Sequence, residues 1–506
     1  MRVIPNNMTV RLSITLIAAG LFATTLVGCT SPDDPVETPT PATPATAGPS
    51  SDQPTPPVFS GDVGPRANTH EDPANGIYVS PDGNDATANG TIDSPYASIN
   101  AALGAAQAGD TVVLRAGTYR EGTSVRVRLP NITIKSRQGE WAIIDLTTFD
   151  SGADDESGVY FDVDSSGGTL QSVEVIGGFY AVALETKWDW GDPADRGGAS
   201  NITIEDCVLH DSRYDVVKVK PNSNDVTIRH NEIFNSGTAF KLCDPDENTN
   251  AEGIDNVNGA NMHVHNNHIH HICTNGVYAK GGATDAIIEY NRITDVNGAG
   301  ILVGFDTSPE YFDTDVNPKY YENINGVVRN NLIVGAVLAG IGLYASKDAQ
   351  VYNNTLVNVA TGAYHSALYF GITYQDWEDY AGRPANVNPN IHHNVISQSS
   401  AVKRPMIEIR YADELGGLSA LEGYPTMNNN CYYKAGGSAT FVDTRPGSAR
   451  PGRVLENANL AAWQSHISGD KDSLEVDPAL DDDQIATNPQ CAGVGITMPL
   501  TTNTVR

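Results

Sequence analysis

Five cations crowd into residues 213–241 of a chain whose net charge is −30: Arg213, Lys218, Lys220, Arg229 and Lys241. Ammonium groups held close together repel, which disfavours protonation and lowers a lysine pKa. A lysine so tuned can act as a general base. Directly after Lys241 comes Asp244-Pro-Asp246-Glu-Asn248, and Asp313-Thr-Asp315-Val-Asn317 repeats the spacing. Oxygen ligands at alternate positions suit calcium; neither stretch carries the glycine of an EF-hand loop. Asp244, Asp246 and Asn248 are the expected calcium ligands.

A repeat has to position these groups. Each copy has an apolar residue, two variable residues, Asn, one variable residue, then Ile or Leu, with Asn231, Asn267, Asn291, Asn331, Asn354 and Asn394 as its markers. The Asn-to-Asn steps are 36, 24, 40, 23 and 40 residues, and an earlier copy carries Cys207 at the Asn position. A second strand follows each Asn turn, with apolar pairs Val217/Val219, Phe240/Leu242, Val277/Ala279, Ile301/Val303, Ile341/Leu343 and Leu368/Phe370. Spacing of two points both members of a pair to one face. A unit this short cannot bury its apolar face alone, so neighbours must stack. The chain therefore reads as all-β: a single-stranded parallel β-helix, right-handed because parallel crossovers are, with its asparagines hydrogen-bonded along one bend.

Aligning the second strands gives two outward columns: Tyr160, Ala183, Lys218, Lys241, Tyr278, and Asp162, Glu185, Lys220, Cys243, Lys280. The long steps place insertions after these strands, at 186–200, 243–261, 305–327 and 373–390. Insertions at one point of a solenoid repeat project from one side, where binding and catalysis sit on a rigid scaffold. They carry Trp188, Trp190, Tyr311, Tyr320, Tyr321 and Trp377, rings suited to stacking on sugars. Trp188, Trp190, Tyr278, Tyr311 and Arg213 are the expected substrate contacts.

The ends of the chain read differently. Residues 1–29 have a basic start, an apolar run and Leu26-Val27-Gly28-Cys29, a lipobox-like ending that predicts a signal peptide, lipidation of Cys29 and anchoring in a bacterial cell envelope. Residues 30–72, rich in Pro, Thr and Ala, predict a disordered tether. The solenoid is expected over 73–480, with a helix near Ser98–Ala108 capping its first turn, followed by a C-terminal tail at 481–506. A monomer is expected. The acidic charge excludes nucleic acid as a partner. Cys207 is expected buried and free, and Cys243 and Cys273 are a possible bridge. Of the cluster His263, His265, His268, His270 and His271, the first four are expected to face outward on two strands parted by the Asn turn, which argues against a single zinc site.

The segment Gly237-Thr-Ala-Phe-Lys241-Leu-Cys-Asp resembles the Gly-rich Phe-Lys-Leu segment of family 9 of the polysaccharide lyases, the pectate lyases of β-helix fold, where it holds the catalytic lysine. There is a more distant likeness to family 6, whose members act on alginate or chondroitin-type polymers. The resemblance implies β-elimination on an acidic, uronic-acid-containing polysaccharide with calcium, in which a base removes the proton α to the uronate carboxylate and a cation stabilises the charge that develops. It implies Lys241 as the base, Lys218 and Lys220 as carboxylate binders or alternative bases, and Arg213 or Arg229 helping. It puts Asp215 at the family's Asp-rich calcium site, although Lys218 stands where a further carboxylate is expected. The alternatives are a non-catalytic surface glycan-binding protein, a 5-epimerase, and a glycoside hydrolase using Asp162 and Glu185, which share one column.

Overall fold

The computed structural model describes residues 61–147, 158–187, 196–239, 243, 250–374, 383–446 and 455–503. Three sheets of twelve strands each run the length of the molecule. Each coil contributes one strand to each. Sheet A includes Thr203–Glu205, Thr227–Arg229 and His263–His265; sheet B includes Val208–His210, Glu232–Phe234 and His268–Ile272; sheet C includes Val182–Leu184, Val217–Val219 and Val277–Lys280. Pairing is parallel within all three, except where Leu455–Ala458 closes sheet C antiparallel to Phe441–Asp443. This is the expected parallel β-helix. The pairs Val217/Val219, Val277/Ala279, Ile301/Val303, Ile341/Leu343 and Leu368/Phe370 all lie in one continuous apolar core.

The asparagines stack at the bend between sheets A and B. The residue before each is in the left-handed region, as at His230 (φ 53), Asn266 (φ 55), Tyr290 (φ 52) and Asn330 (φ 55), which turns the chain sharply. Each Asn Oδ1 then accepts from the backbone N–H of the preceding rung: Asn231 N to Asn267 Oδ1 at 3.0 Å, Asn291 N to Asn331 Oδ1 at 3.0 Å, Asn354 N to Asn394 Oδ1 at 3.0 Å. Each Nδ2 donates to the next Oδ1 and to a backbone carbonyl. The ladder continues to Asn430 and ends on the Ser473 hydroxyl. At its start the Cys207 N–H donates to Asn231 Oδ1 at 2.9 Å, so the cysteine fits where no earlier rung asks for an acceptor from it.

A buried polar network is stabilising only while every member is satisfied. Asn331→Ala removes the acceptor for Asn291 and the donor to Asn354 at once. Each buried group left unpaired costs about 1–3 kcal/mol, so the variant should lose about 3 kcal/mol or more around that rung. Hydrogen exchange of the neighbouring strands reads this; unchanged protection there would show that the ladder adds nothing.

The helix α1, Ile99–Ala105, is capped by Ser98, whose hydroxyl accepts from the Ala101 N–H. Ile99 and Ala102 are buried in the core beside the first rungs. Two bridges, Cys243–Cys273 and Cys431–Cys491, are formed, and Cys207 is buried and unbridged, its thiol pKa pushed up by burial.

Three expectations are corrected. The rung next to Val217–Val219 is Ile254–Val257, so Asp255, not Lys241, stands beside Lys218. The inward positions of that rung are Ile254 and Asn256; a polar inward residue hid the strand from an apolar-pair search. The extra residues of this coil accordingly lie before sheet C, not after it. The tether and the tail are also shorter than expected. Asp62–Val63 pairs with Thr501–Thr502, and Val63, Ile496 and Leu500 are buried together. Arg66 binds Asp206 through its guanidinium at 2.7 and 2.8 Å, and the Lys135 ammonium donates to the carbonyls of His70 and Glu71. Residues 61–72 and 481–503 thus belong to the folded unit.

Candidate functional site

On the outer face of sheet C the register is Tyr160, Ala183, Lys218, Asp255, Tyr278. The next outward column carries Lys220 and, two rungs on, Lys280; rungs in a parallel stack are about 4.8 Å apart. These side chains open into a cleft of about 560 Å³ whose floor is Lys218, Lys220 and Lys280. Its walls come from the insertions: Thr186 from the first, Asn250 from the second, and Thr307, Ser308 and Tyr311 from the third. Three of the four insertions therefore gather on one side, as expected. Arg196 of the first pairs with Asp313 of the third at 2.5 Å. Arg383, in the fourth, is buried against Glu322, donates to the Thr307 carbonyl and lies over the rings of Phe312 and Tyr320 at 5.3 and 5.7 Å.

The three lysines differ. Lys218 sits between Asp215, at 3.1 Å, and Asp255, a still shorter ion pair. Burial acts to lower its pKa, but the two carboxylates outweigh this and hold it well above the ordinary value. The expectation that lysine–lysine repulsion would free Lys218 as a base is therefore corrected: its nearest charges are negative. Lys280 lies 3.7 Å from Asp255, with its ammonium 4.4 Å above the Tyr278 ring. Lys220 is the most exposed of the three at 23 %, and its Nζ donates to both Glu185 oxygens at 2.8 and 3.0 Å.

Asp215, Glu252 and Asp255 are fully buried beneath this floor, with ligand-capable oxygens all within 4.8 Å of one another. Burial and the Asp215 charge raise the Glu252 pKa well above the carboxylate range. Glu252 and Asp255 were missed because their coil was assigned to the wrong segment, whereas Lys280 was placed in its outward column but not among the expected site residues.

Of the other expected residues, Tyr278 does not face substrate: it is 4 % exposed, packed with Leu302, Tyr344 and Tyr369 under Lys280. Arg213 is in an exposed turn and does not line the cleft. Tyr311 does line it. Lys241, Asp244, Asp246, Asn248, Trp188, Trp190 and Trp377 lie outside the described residues, as do Cys29 and all of 1–60. In the second calcium-like stretch Asp313 is taken by Arg196 and by the Asp315 N–H, and Asn317 is bonded both ways to the Tyr321 backbone. It builds the loop. Asp162 pairs with Arg126, and Glu185 with Lys220, so each member of the hydrolase pair is bound to a cation. A larger cleft, about 680 Å³ beside α1, offers Arg126 and Arg128 but no group placed to take a proton.

The histidines divide as expected between sheet A and sheet B, with His263 bound to Glu289 at 2.8 Å and His270 to Glu232 at 3.2 Å. Burial lowers His230, His265 and His268 to about 4. Since the unfolded chain binds these protons from pH 6.5 downward, the stability they lend is complete above 6.5 and is lost as pH falls towards 4. Buried Glu322, raised to about 7, and Glu252, also raised, act in the opposite sense, while His365, lowered to about 4, acts with the three. From pH 6.5 to 4 the melting temperature of a His265→Asn/His268→Asn variant should fall less steeply than that of the wild type; equal slopes would contradict this.

Comparison with known proteins fits this architecture. Residues 77–277 match the family model "Pel9A-like, right handed beta helix region", and residues 252–431 match "Right handed beta helix region". A curated relative, pectate lyase PEL9 of Emericella nidulans, is 42 % identical over 74 residues, 14 % of this chain. That match spans only 18 % of the relative's own length. Among solved structures, pectate lyase Pel9A is 18 % identical over 65 % of this chain and 77 % of its own, with a TM-score of 0.43. The A-module of the Azotobacter vinelandii mannuronan C-5 epimerase AlgE4 is 16 % identical over 67 % and 90 %, with a TM-score of 0.46. The chain is a right-handed parallel β-helix whose residues 77–277 are similar to the Pel9A-like family model.

Proposed function

We propose that this protein cleaves a uronic-acid-containing polysaccharide by β-elimination in the sheet C cleft. The observation that carries the reading is the floor of three lysines, Lys218, Lys220 and Lys280, in a protein of net charge −30. Each of these lysines is paired with a carboxylate, and Glu185 and Asp306 line the same cleft, so what the floor offers an anionic ligand is a set of fixed ammonium donors rather than a net positive field. Lys218 and Lys280, held in place by Asp255, present fixed ammonium groups to a sugar carboxylate and stabilise the charge that builds on it when the adjacent proton leaves. Tyr311 offers a ring to the sugar face. Lys220, after giving a proton to solvent and leaving Glu185, takes the proton α to the carboxylate on its neutral amine; the bond β to it then breaks, and the departing oxygen takes a proton from solvent. Lys220 carries the base role because it is the described lysine most open to the cleft; Lys241 stays the alternative. Calcium on Asp244, Asp246 and Asn248, and lipid anchoring at Cys29 in a bacterial cell envelope, belong to the same proposal.

The test is product chemistry. Incubation with pectate, alginate and glycosaminoglycans should yield a 4,5-unsaturated, ultraviolet-absorbing end on at least one polymer. Reducing ends without that chromophore would mean hydrolysis. Deuterium uptake from solvent without chain cleavage would mean epimerisation. Tight binding with none of these would make the protein a glycan binder.

A further inference from the structure

The carboxylates under the cleft form the cluster that a divalent cation would be expected to fill, yet the chain has already put its own cations there. Lys218 Nζ lies between Asp215 and Asp255, and Lys280 Nζ is 3.7 Å from the same Asp255 oxygen. We infer that the ammonium groups of Lys218 and Lys280 are the resident cations of the Asp215–Glu252–Asp255 cluster, which therefore takes no divalent metal, so that the cation meeting an anionic ligand at the cleft floor is the protein's own.

Charge and space agree. Asp215 and Asp255 face the two ammonium groups, so the charges of these four side chains are already matched. A calcium ion would need to bind between Asp215 and Asp255, the place Lys218 Nζ holds. Lys218 cannot easily withdraw: its backbone is locked in sheet C between Ala183 and Asp255, and its side chain is only 12 % exposed. A metal alongside the lysine would add two positive charges to a desolvated site, where repulsion is poorly screened. The cluster keeps a latent capacity for metal. Asp255 Oδ1 and Glu252 Oε2 are buried without a hydrogen-bond partner, and they would be available if the ammonium were gone. The same arrangement explains why three lysines share one floor. Lys218 and Lys280 neutralise the buried acids and hold their ammonium donors at the floor, leaving Lys220 as the group facing the ligand.

The clause about the ligand rests on the proposed function; the exclusion of metal does not, and it is tested by binding. Crystals of the wild type and of Lys218→Met would be soaked in terbium, a calcium stand-in with strong anomalous scattering. The expected result is no anomalous peak between Asp215 and Asp255 in the wild type and a peak there in the variant. Calcium should also raise the variant's melting temperature by more than it raises the wild type's, since a ligand preferring the folded state stabilises it. A wild-type peak between those aspartates overturns the inference, and does so even if Lys218→Met fails to fold. A folded variant with no peak overturns it too, because the lysine then was not what kept metal out. Failure of the lyase reading would appear instead as absence of unsaturated product, with the anomalous maps unaffected.

Discussion

Lys220→Ala should lose about 10³-fold or more of the rate of unsaturated-product formation, within the 10²–10⁴-fold range that a positioned acid–base group contributes. Its melting temperature should barely move, because the side chain is partly exposed and its pair with Glu185 lies at the cleft surface, where such pairs add little. Lys220→Arg should be almost as inactive as the alanine variant, since a guanidinium keeps the charge but does not give up its proton. Glu185→Gln tests the same contact from the other side: it removes the negative charge and one of the two oxygens that orient Nζ, and should change the rate without abolishing it. If Lys220→Ala keeps its rate and Lys241→Ala is dead, the base is the residue of the 240–242 segment and Lys220 is only a binder.

Asp255→Ala should be the most damaging single change to stability at the site. Asp255 is fully buried and is the partner of two ammonium groups, Lys218 and Lys280. Removing one partner of a buried ion pair costs about 3–5 kcal/mol, because the remaining charge is left in a poorly solvating interior. The low end, about 3 kcal/mol, is expected here, since Asp215 keeps hold of Lys218. In a solenoid each rung contacts only its neighbours, so the loss should be local. Hydrogen exchange should quicken in Val217–Val219, Ile254–Val257 and Val277–Lys280, while the strands near Leu368–Gly371 stay protected. Uniform loss of protection along the helix would contradict a local ion-pair cluster. No loss at all would mean that the three acids and two lysines are not a coupled unit.

The fold was legible because its signal repeats. Each Asn of the ladder occurs beside the same apolar pattern, and a stacked side chain needs the same partner on every rung, so six copies reinforce one reading. The site was legible only in part. Lys218 and Lys220 were found because their strand carries the apolar pair Val217/Val219. Asp255 escaped because its strand turns Asn256 inward, where the side chain bonds to the Gly259 backbone and substitutes for an apolar contact. That one polar inward residue moved the expected rung to Phe240–Leu242 and put a lysine where the structure has an aspartate. The sign of the local field changed with it: neighbours expected to lower the Lys218 pKa raise it. Tyr278 was misread for a related reason. Its outward direction is correct, but the third insertion and Lys280 cover that face, and period-two patterning carries no information on what lies above a sheet.

The central claim is that a sugar carboxylate sits on the lysine floor of the sheet C cleft. Its most direct test is a crystal structure of Lys220→Ala soaked with an oligouronate drawn from whichever polymer the wild type cleaves. The account predicts a uronate carboxylate within hydrogen-bond distance of the Lys218 or Lys280 ammonium and a sugar ring against Tyr311, with the proton next to that carboxylate directed at the space the Lys220 side chain has left. Oligosaccharide bound outside this cleft, as in the arginine-lined cleft beside α1, with the lysine floor bare, would contradict it.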